Sequence, residues 1–247
     1  MCDNNSRYLK LGHQIYSCMT ILNVTTSNFV SQIDKENNMS LIEKLQKRAA
    51  IKNFDATKKL TRAQLDQLLD AVRLAPSSLG LQAYRILVVE DAEIREKLRE
   101  ASHGQAQLTQ SSQVFIFAVV KDLDKDYGNK FIDLVANTRG IGREHLAGYE
   151  QMVQNTINSQ TEEQKISWST KQAYIALGVL LTAAAEMDID ACPMEGFDAG
   201  KYDEILGLKE KGLSAVVIAP VGYRSDEDVY SKMEKVRWPK EELFIHI

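Results

Sequence analysis

The sequence predicts an α+β domain in which helices cover both faces of a small sheet. Three observations carry that expectation. Short apolar runs of strand length alternate with segments of helical period, the pattern of layered folds. The helices are uneven in length and the strands few. One stretch, residues 162–187, is apolar nearly all round in its second half, as a helix buried on several sides must be.

The elements follow in order. Residues 1–38 are rich in Asn, Ser and Thr and have no clean period. They read as a poorly ordered extension, with Met39 a second start and residues 39–247 the folded domain. Ser40 with Glu43 has the form of a capping box, so a helix opens there, with Arg48-Ala49-Ala50-Ile51-Lys52 at its end. Thr61 with Gln64 is a second capping box, and Leu65, Leu68, Leu69 and Val72 then share one helical face before Pro76 helps to stop the helix. Residues 83–90 read as a strand, Asp91 as the cap of a helix carrying Ile94 and Leu98, and residues 114–120 as a buried strand. Residues 121–162 are more polar and read as a helical excursion. After the long helix, strands are expected near Ile189, at 215–221, and in the terminal Leu243-Phe244-Ile245-His246-Ile247.

Composition narrows the function. A net charge of -4 argues against a nucleic-acid partner, which shows itself as a basic patch. Cys2, Cys18 and Cys192 are far apart and odd in number, so neither a disulfide framework nor a metal site is expected, and a reducing, cytoplasmic setting is the default. Cys192 itself reads as a small buried apolar residue. The longest apolar stretch, residues 173–185, is shorter than the roughly 20 residues of a spanning helix, and the N-terminus lacks the pattern of a secretory signal. Dinucleotide and P-loop glycine motifs are absent, as is a nucleophile elbow, and His13, His103, His145 and His246 have no zinc-ligand spacing.

Four short segments stand out: Arg48 to Lys52; Ala75-Pro76-Ser77-Ser78-Leu79-Gly80-Leu81-Gln82; Cys192-Pro193-Met194-Glu195-Gly196-Phe197-Asp198; and Lys235-Val236-Arg237. Singly they read as a solvated helix end, a loop, a turn and a polar surface. By physics alone they reach a soluble α+β domain with an anion site.

In this order, and followed through Gly207-Leu208-Lys209-Glu210-Lys211-Gly212, they resemble the nitroreductase family, the FMN-dependent NAD(P)H oxidoreductases. The resemblance runs from about Ser40 to the C-terminus. It implies a three-layer α/β/α sandwich with a mixed, mostly antiparallel central sheet, and a homodimer with FMN at the interface. NADH or NADPH would be the donor and a nitroaromatic, quinone or related small molecule the acceptor, in ping-pong two-electron transfer. A flavin or dihydropteridine reductase on the same scaffold is the alternative enzyme, and a non-catalytic flavin-binding protein the alternative outside catalysis.

The resemblance also assigns residues. Arg48, Lys235 and Arg237 would hold the FMN phosphate. One cation at 4 Å contributes up to about 4 kcal/mol at an effective dielectric of 20, before desolvation. Lys52 would face the pyrimidine edge of the flavin, where reduction places negative charge. Pro76, Ser77 and Ser78 would come from the other subunit, with Gln82 in the same neighbourhood. Gln105 and Gln107 would make polar contacts to the pyrimidine ring. Pro193, Met194, Glu195 and Gly196 would lie over one face, a backbone N–H of Glu195 or Gly196 meeting flavin N5. Lys52, Glu195 and Gly196 are thus the candidate catalytic positions. Ala49 and Ala50 lie against the cofactor in the same scheme. The family usually has Tyr or His at Ala49, some members have a second lysine at Gln107, and many have Asn at Gly104.

Overall fold

The computed structural model describes residues 39–247. The expected extension, residues 1–38, lies outside the described residues. Contacts divide the chain between Lys44 and Leu45, and the sheet and the candidate site lie in the body Leu45–Ile247.

Helix α1 (Leu41–Lys47) opens on the expected box, the Ser40 N–H reaching Glu43 Oε2 at 2.7 Å and the Glu43 N–H returning to Ser40 Oγ at 3.3 Å. It stops at Lys47, so Arg48 and Lys52, expected on the helix end, lie beyond it. Their backbone groups have other partners. Ala50 forms a parallel bridge with Ala191, and the N–H groups of Lys52 and Asn53 donate to Asp228 Oδ1 at 2.8 and 3.0 Å. Helix α2 (Arg62–Arg73) has both halves of the Thr61–Gln64 box and buries Leu65, Leu68 and Val72. Strand β1 (Tyr84–Val89) leads to α3 (Ala92–Glu100), capped by Asp91 through the Ile94 N–H, then to α4 (Gln107–Gln110) and β2 (Gln113–Val120). Every residue of β2 is buried, as a central strand requires.

The excursion is helical, as expected: α5 (Lys125–Arg139) and α6 (Ala147–Asn158). Next come α7 (Glu162–Glu186), opened by a Thr161–Gln164 capping box, β3 (Asp190–Ala191), α8 (Ala199–Ile205), β4 (Leu213–Gly222) and α9 (Lys240–Leu243). Among the described residues no helix is long and apolar enough to cross a membrane.

The sheet runs β1-β2-β4-β3 with antiparallel neighbours, and the parallel Ala50–Ala191 bridge makes it mixed. Side chains alternate between its faces. Phe115, Phe117, Val119, Val217, Ala219 and Val221 pack against α2 and α7, while Val114, Ile116, Ala118 and Ile218 pack against α3 and α8. A bulge between Phe117 and Ala118 pairs Phe117 with Val217 but Ala118 with Ala215. The extra residue turns Ala215 and Leu213 to the second face. A third cluster of Leu81, Ala83, Ile132, Leu146, Val153 and Ile157 anchors α5 and α6.

The expected last strand is absent. Pro239 instead starts α9, its carbonyl accepting from the Glu242 and Leu243 N–H groups. Phe244, Ile245 and Ile247 then run on exposed. The sheet offers the segment no pairing partner among the described residues, so its β propensity is not realised.

Candidate active site

Residues 48–54, 105–110, 190–197 and 224–237 converge where β3 meets the end of β4. Gly222 permits the approach: a Cβ there would sit 2.9 Å from the Ser112 backbone nitrogen. The two basic segments meet. Lys235 Nζ donates to the carbonyls of Leu45 and Arg48 at 2.6 and 2.5 Å. Burial, then the charges of Arg48, Arg237 and Arg224, pushes the Lys235 ammonium below its ordinary pKa. Burial and the neighbouring Arg237 do the same to Arg48. Arg48 Nη1 is buried with no hydrogen-bond partner among the described residues. A buried, unpaired guanidinium nitrogen is costly, and cations gathered against their own repulsion match a dianionic phosphomonoester. The donor set therefore fits the phosphate of FMN.

Lys52 is fixed at both ends. Its N–H is held by Asp228, and its Nζ lies 3.5 Å from Cys192 Sγ. Asp228 is 0% exposed and also takes the Ser231 N–H at 2.7 Å. Burial raises the Asp228 pKa, but hydrogen bonds from Asn53, Lys52 and Ser231 outweigh it and hold the carboxyl below its ordinary value. Cys192 is buried, as read from the sequence, and burial pushes its thiol pKa up against the smaller effects of Lys52 and Gln107. Gln107, 5% exposed, sits on a segment shaped by Arg95. That buried guanidinium donates to the carbonyls of Leu108 and Ser111, each at 2.6 Å, and of Ser112 at 3.1 Å.

Met194 bridges Ile218, which docks the 193–196 loop on β4. Gln105 Nε2 donates to the Gly196 carbonyl at 2.9 Å. Among the described residues the Glu195 and Gly196 N–H groups have no acceptor, so both remain available as donors. The Glu195 carboxylate accepts from the Tyr174 hydroxyl of α7 at 2.5 Å. Burial, reinforced by Glu195, pushes the Tyr174 pKa up to about 12. Tyr174, Leu177, Gly178, Pro193, Met194 and Glu195 line an open groove of about 490 Å³. Ala49 and Ala50 pack beside this region in the second core layer.

The second segment, residues 75–82, stays apart within one chain. Ser77 Oγ accepts from the Gln82 N–H, and the Ser78 N–H donates to Gln172 Oε1. Gln82 Nε2 turns back to the Arg73 carbonyl. Tyr127 and Tyr149 of the excursion donate to carbonyls of residues 79, 81 and 82. Among the described residues no hydrogen bond joins Pro76, Ser77, Ser78 or Gln82 to the cationic recess.

Sequence reasoning missed Asp228 and Tyr174. Asp228 stands in a polar tail among other acids, and Tyr174 in an apolar helix. The local Asp228–Ser231 pairing is an ordinary turn pattern, and the partners that tie the two residues to the site, Lys52 and Glu195, lie 176 and 21 residues away.

The fold and recess define an oxidoreductase class, and comparisons with known proteins agree. The model of the nitroreductase family matches residues 45–223. A Staphylococcus haemolyticus protein provisionally named an NAD(P)H nitroreductase is 33% identical over 216 residues, covering 83% of this chain and 95% of its own. The oxygen-insensitive NAD(P)H nitroreductase of Enterobacter cloacae is 29% identical over 219 residues, covering 81% of this chain and 96% of its own. A crystal structure from Exiguobacterium sibiricum, described as a nitroreductase assignment in complex with FMN, has a TM-score of 0.72 at 19% identity, covering 85% of this chain and 98% of that one. The chain belongs to the nitroreductase family, the FMN-dependent NAD(P)H oxidoreductases.

Proposed function

We propose that the chain binds FMN in the cationic recess and, with NADH or NADPH as donor, reduces a small-molecule acceptor of the nitroaromatic or quinone type. The buried, unpartnered Arg48 Nη1 within a cluster of cations is the observation that carries this reading. Bound FMN supplies the two-electron exchange between donor and acceptor. Arg48, Lys235 and Arg237 bind its phosphate. Lys52 contributes a fixed positive charge where negative charge develops on reduction. The free N–H groups of Glu195 and Gly196 orient one ligand, and Gln105 and Gln107 add polar contacts. Ala49, Ala50, Pro193 and Met194 exclude water around them.

The working form proposed is a cytoplasmic homodimer, in which a second copy brings Pro76, Ser77, Ser78 and Gln82 to the recess. Tyr174 and Ile175 of α7 and the exposed Trp238, Phe244 and Ile245 of the tail are apolar surface that supports such an interface.

Titration of the flavin-free protein with FMN and with riboflavin, which lacks the phosphate, tests the reading. Arg237→Ala weakens FMN binding about 10- to 100-fold, the loss of one charge-assisted hydrogen bond. Riboflavin binding and turnover of the fully loaded enzyme stay near those of the parent. An unchanged FMN dissociation constant removes Arg237 from the site.

A further inference from the structure

We infer that Cys192 is a positioning residue for Lys52, its sulfur holding the ammonium where it raises the potential of the bound flavin. The inference rests on the proposed FMN site. Three observations lead to it. Lys52 Nζ is 3.5 Å from Cys192 Sγ, and no other side-chain acceptor is hydrogen-bonded to that ammonium among the described residues. The Pro193 carbonyl lies 3.9 Å from the sulfur and can accept the thiol hydrogen, which leaves sulfur lone pairs for the Lys52 N–H. Asp228 fixes the other end of the same residue through its backbone N–H. A long flexible side chain is thereby tethered at both ends, so less of its conformational freedom remains to be lost when a ligand meets the ammonium.

The choice of acceptor has an electrostatic consequence. A carboxylate at this position would neutralise the lysine. A neutral thiol holds it without cancelling its charge, and burial keeps this thiol neutral by raising its pKa. The cation is delivered whole to the reduced flavin. An ammonium has three donors, so one spent on sulfur leaves two.

The test is a double-mutant cycle on the FMN-loaded protein, read as the flavin midpoint potential by equilibration with a reference dye. Cys192→Ala lowers the reduced-to-oxidised ratio at fixed potential by about 3- to 10-fold, or about 15–30 mV for a two-electron couple. Cys192→Ser, which keeps an acceptor, stays closer to the parent. In a Lys52→Met background, Cys192→Ala adds no further shift, since the residue acts through the lysine. An equal shift in both backgrounds, or none in either, overturns the inference while leaving the FMN site intact. Protein that takes up no FMN in the parent form overturns both.

Discussion

Replacing Asp228 isolates how the recess is assembled. Its carboxylate takes three backbone N–H groups, from Ser231 at 2.7 Å, Lys52 at 2.8 Å and Asn53 at 3.0 Å. Each charge-assisted bond contributes about 1.5–3 kcal/mol. Simple addition overshoots, because these amides are only partly buried and water recovers part of the loss. Asp228→Ala should therefore cost about 3–5 kcal/mol, within the upper range for single substitutions. At about 2–4 °C per kcal/mol for a chain of this size, Tm falls by about 6–20 °C. Asp228→Asn should cost less. Its carbonyl can still serve Lys52 and Asn53, but its NH2 group opposes the Ser231 N–H. The pH dependence has a definite sign. The folded-state pKa lies below the ordinary 3.8, so the contribution is full above that value and is lost as pH falls through the folded-state value. Urea unfolding of flavin-free parent and Asp228→Ala protein, at neutral pH and again below pH 3.8, measures this directly. A large gap that narrows in acid is expected. A gap that is absent at neutral pH, or equal at both, refutes the reasoning.

Three further outcomes are expected. Double-reciprocal plots at several acceptor concentrations should be parallel, because donor and acceptor are proposed to use the same flavin face in turn; intersecting lines would mean a ternary complex. A chain beginning at Met39 should be yellow, dimeric and active, and its failure to fold would reverse the assignment of residues 1–38 as dispensable. Removing residues 244–247 should weaken self-association, seen as a lower sedimentation coefficient at equal concentration; an unchanged value would take the apolar tail out of the interface.

What the sequence made legible was what is decided locally. The Thr61 box, the Asp91 cap and the continuous apolar run of β2 depend on residues a few positions apart, and all three are found. Failures arose where distant partners decide. Helix α1 stops at Lys47 because the following amides belong to Ala191 and Asp228. The tail has strand-forming residues and no strand to pair with. Residues 121–162 could be read as helical, but not the device that fixes them. Arg143 joins Asp133 and Glu150 at 2.6 Å each, a tie that no periodicity announces. Three of the four singled-out segments meet in one recess. The one holding Pro76 and Ser77 lies apart within one chain, beside backbone that the excursion grips, and the resemblance assigns it to the recess of a second copy.

The gathered cations also bear on how long the protein lasts. Arg48, Lys235 and Arg237 repel one another, so a phosphate bound among them adds to folding free energy by mass action, about 2.7 kcal/mol at a hundredfold excess over its dissociation constant. Proteases act on the transiently opened chain, and its population falls by the same factor. Cellular abundance of this enzyme should then follow the supply of phosphorylated flavin: newly made chains that find none are degraded first, and starvation for the vitamin removes the protein as well as its cofactor.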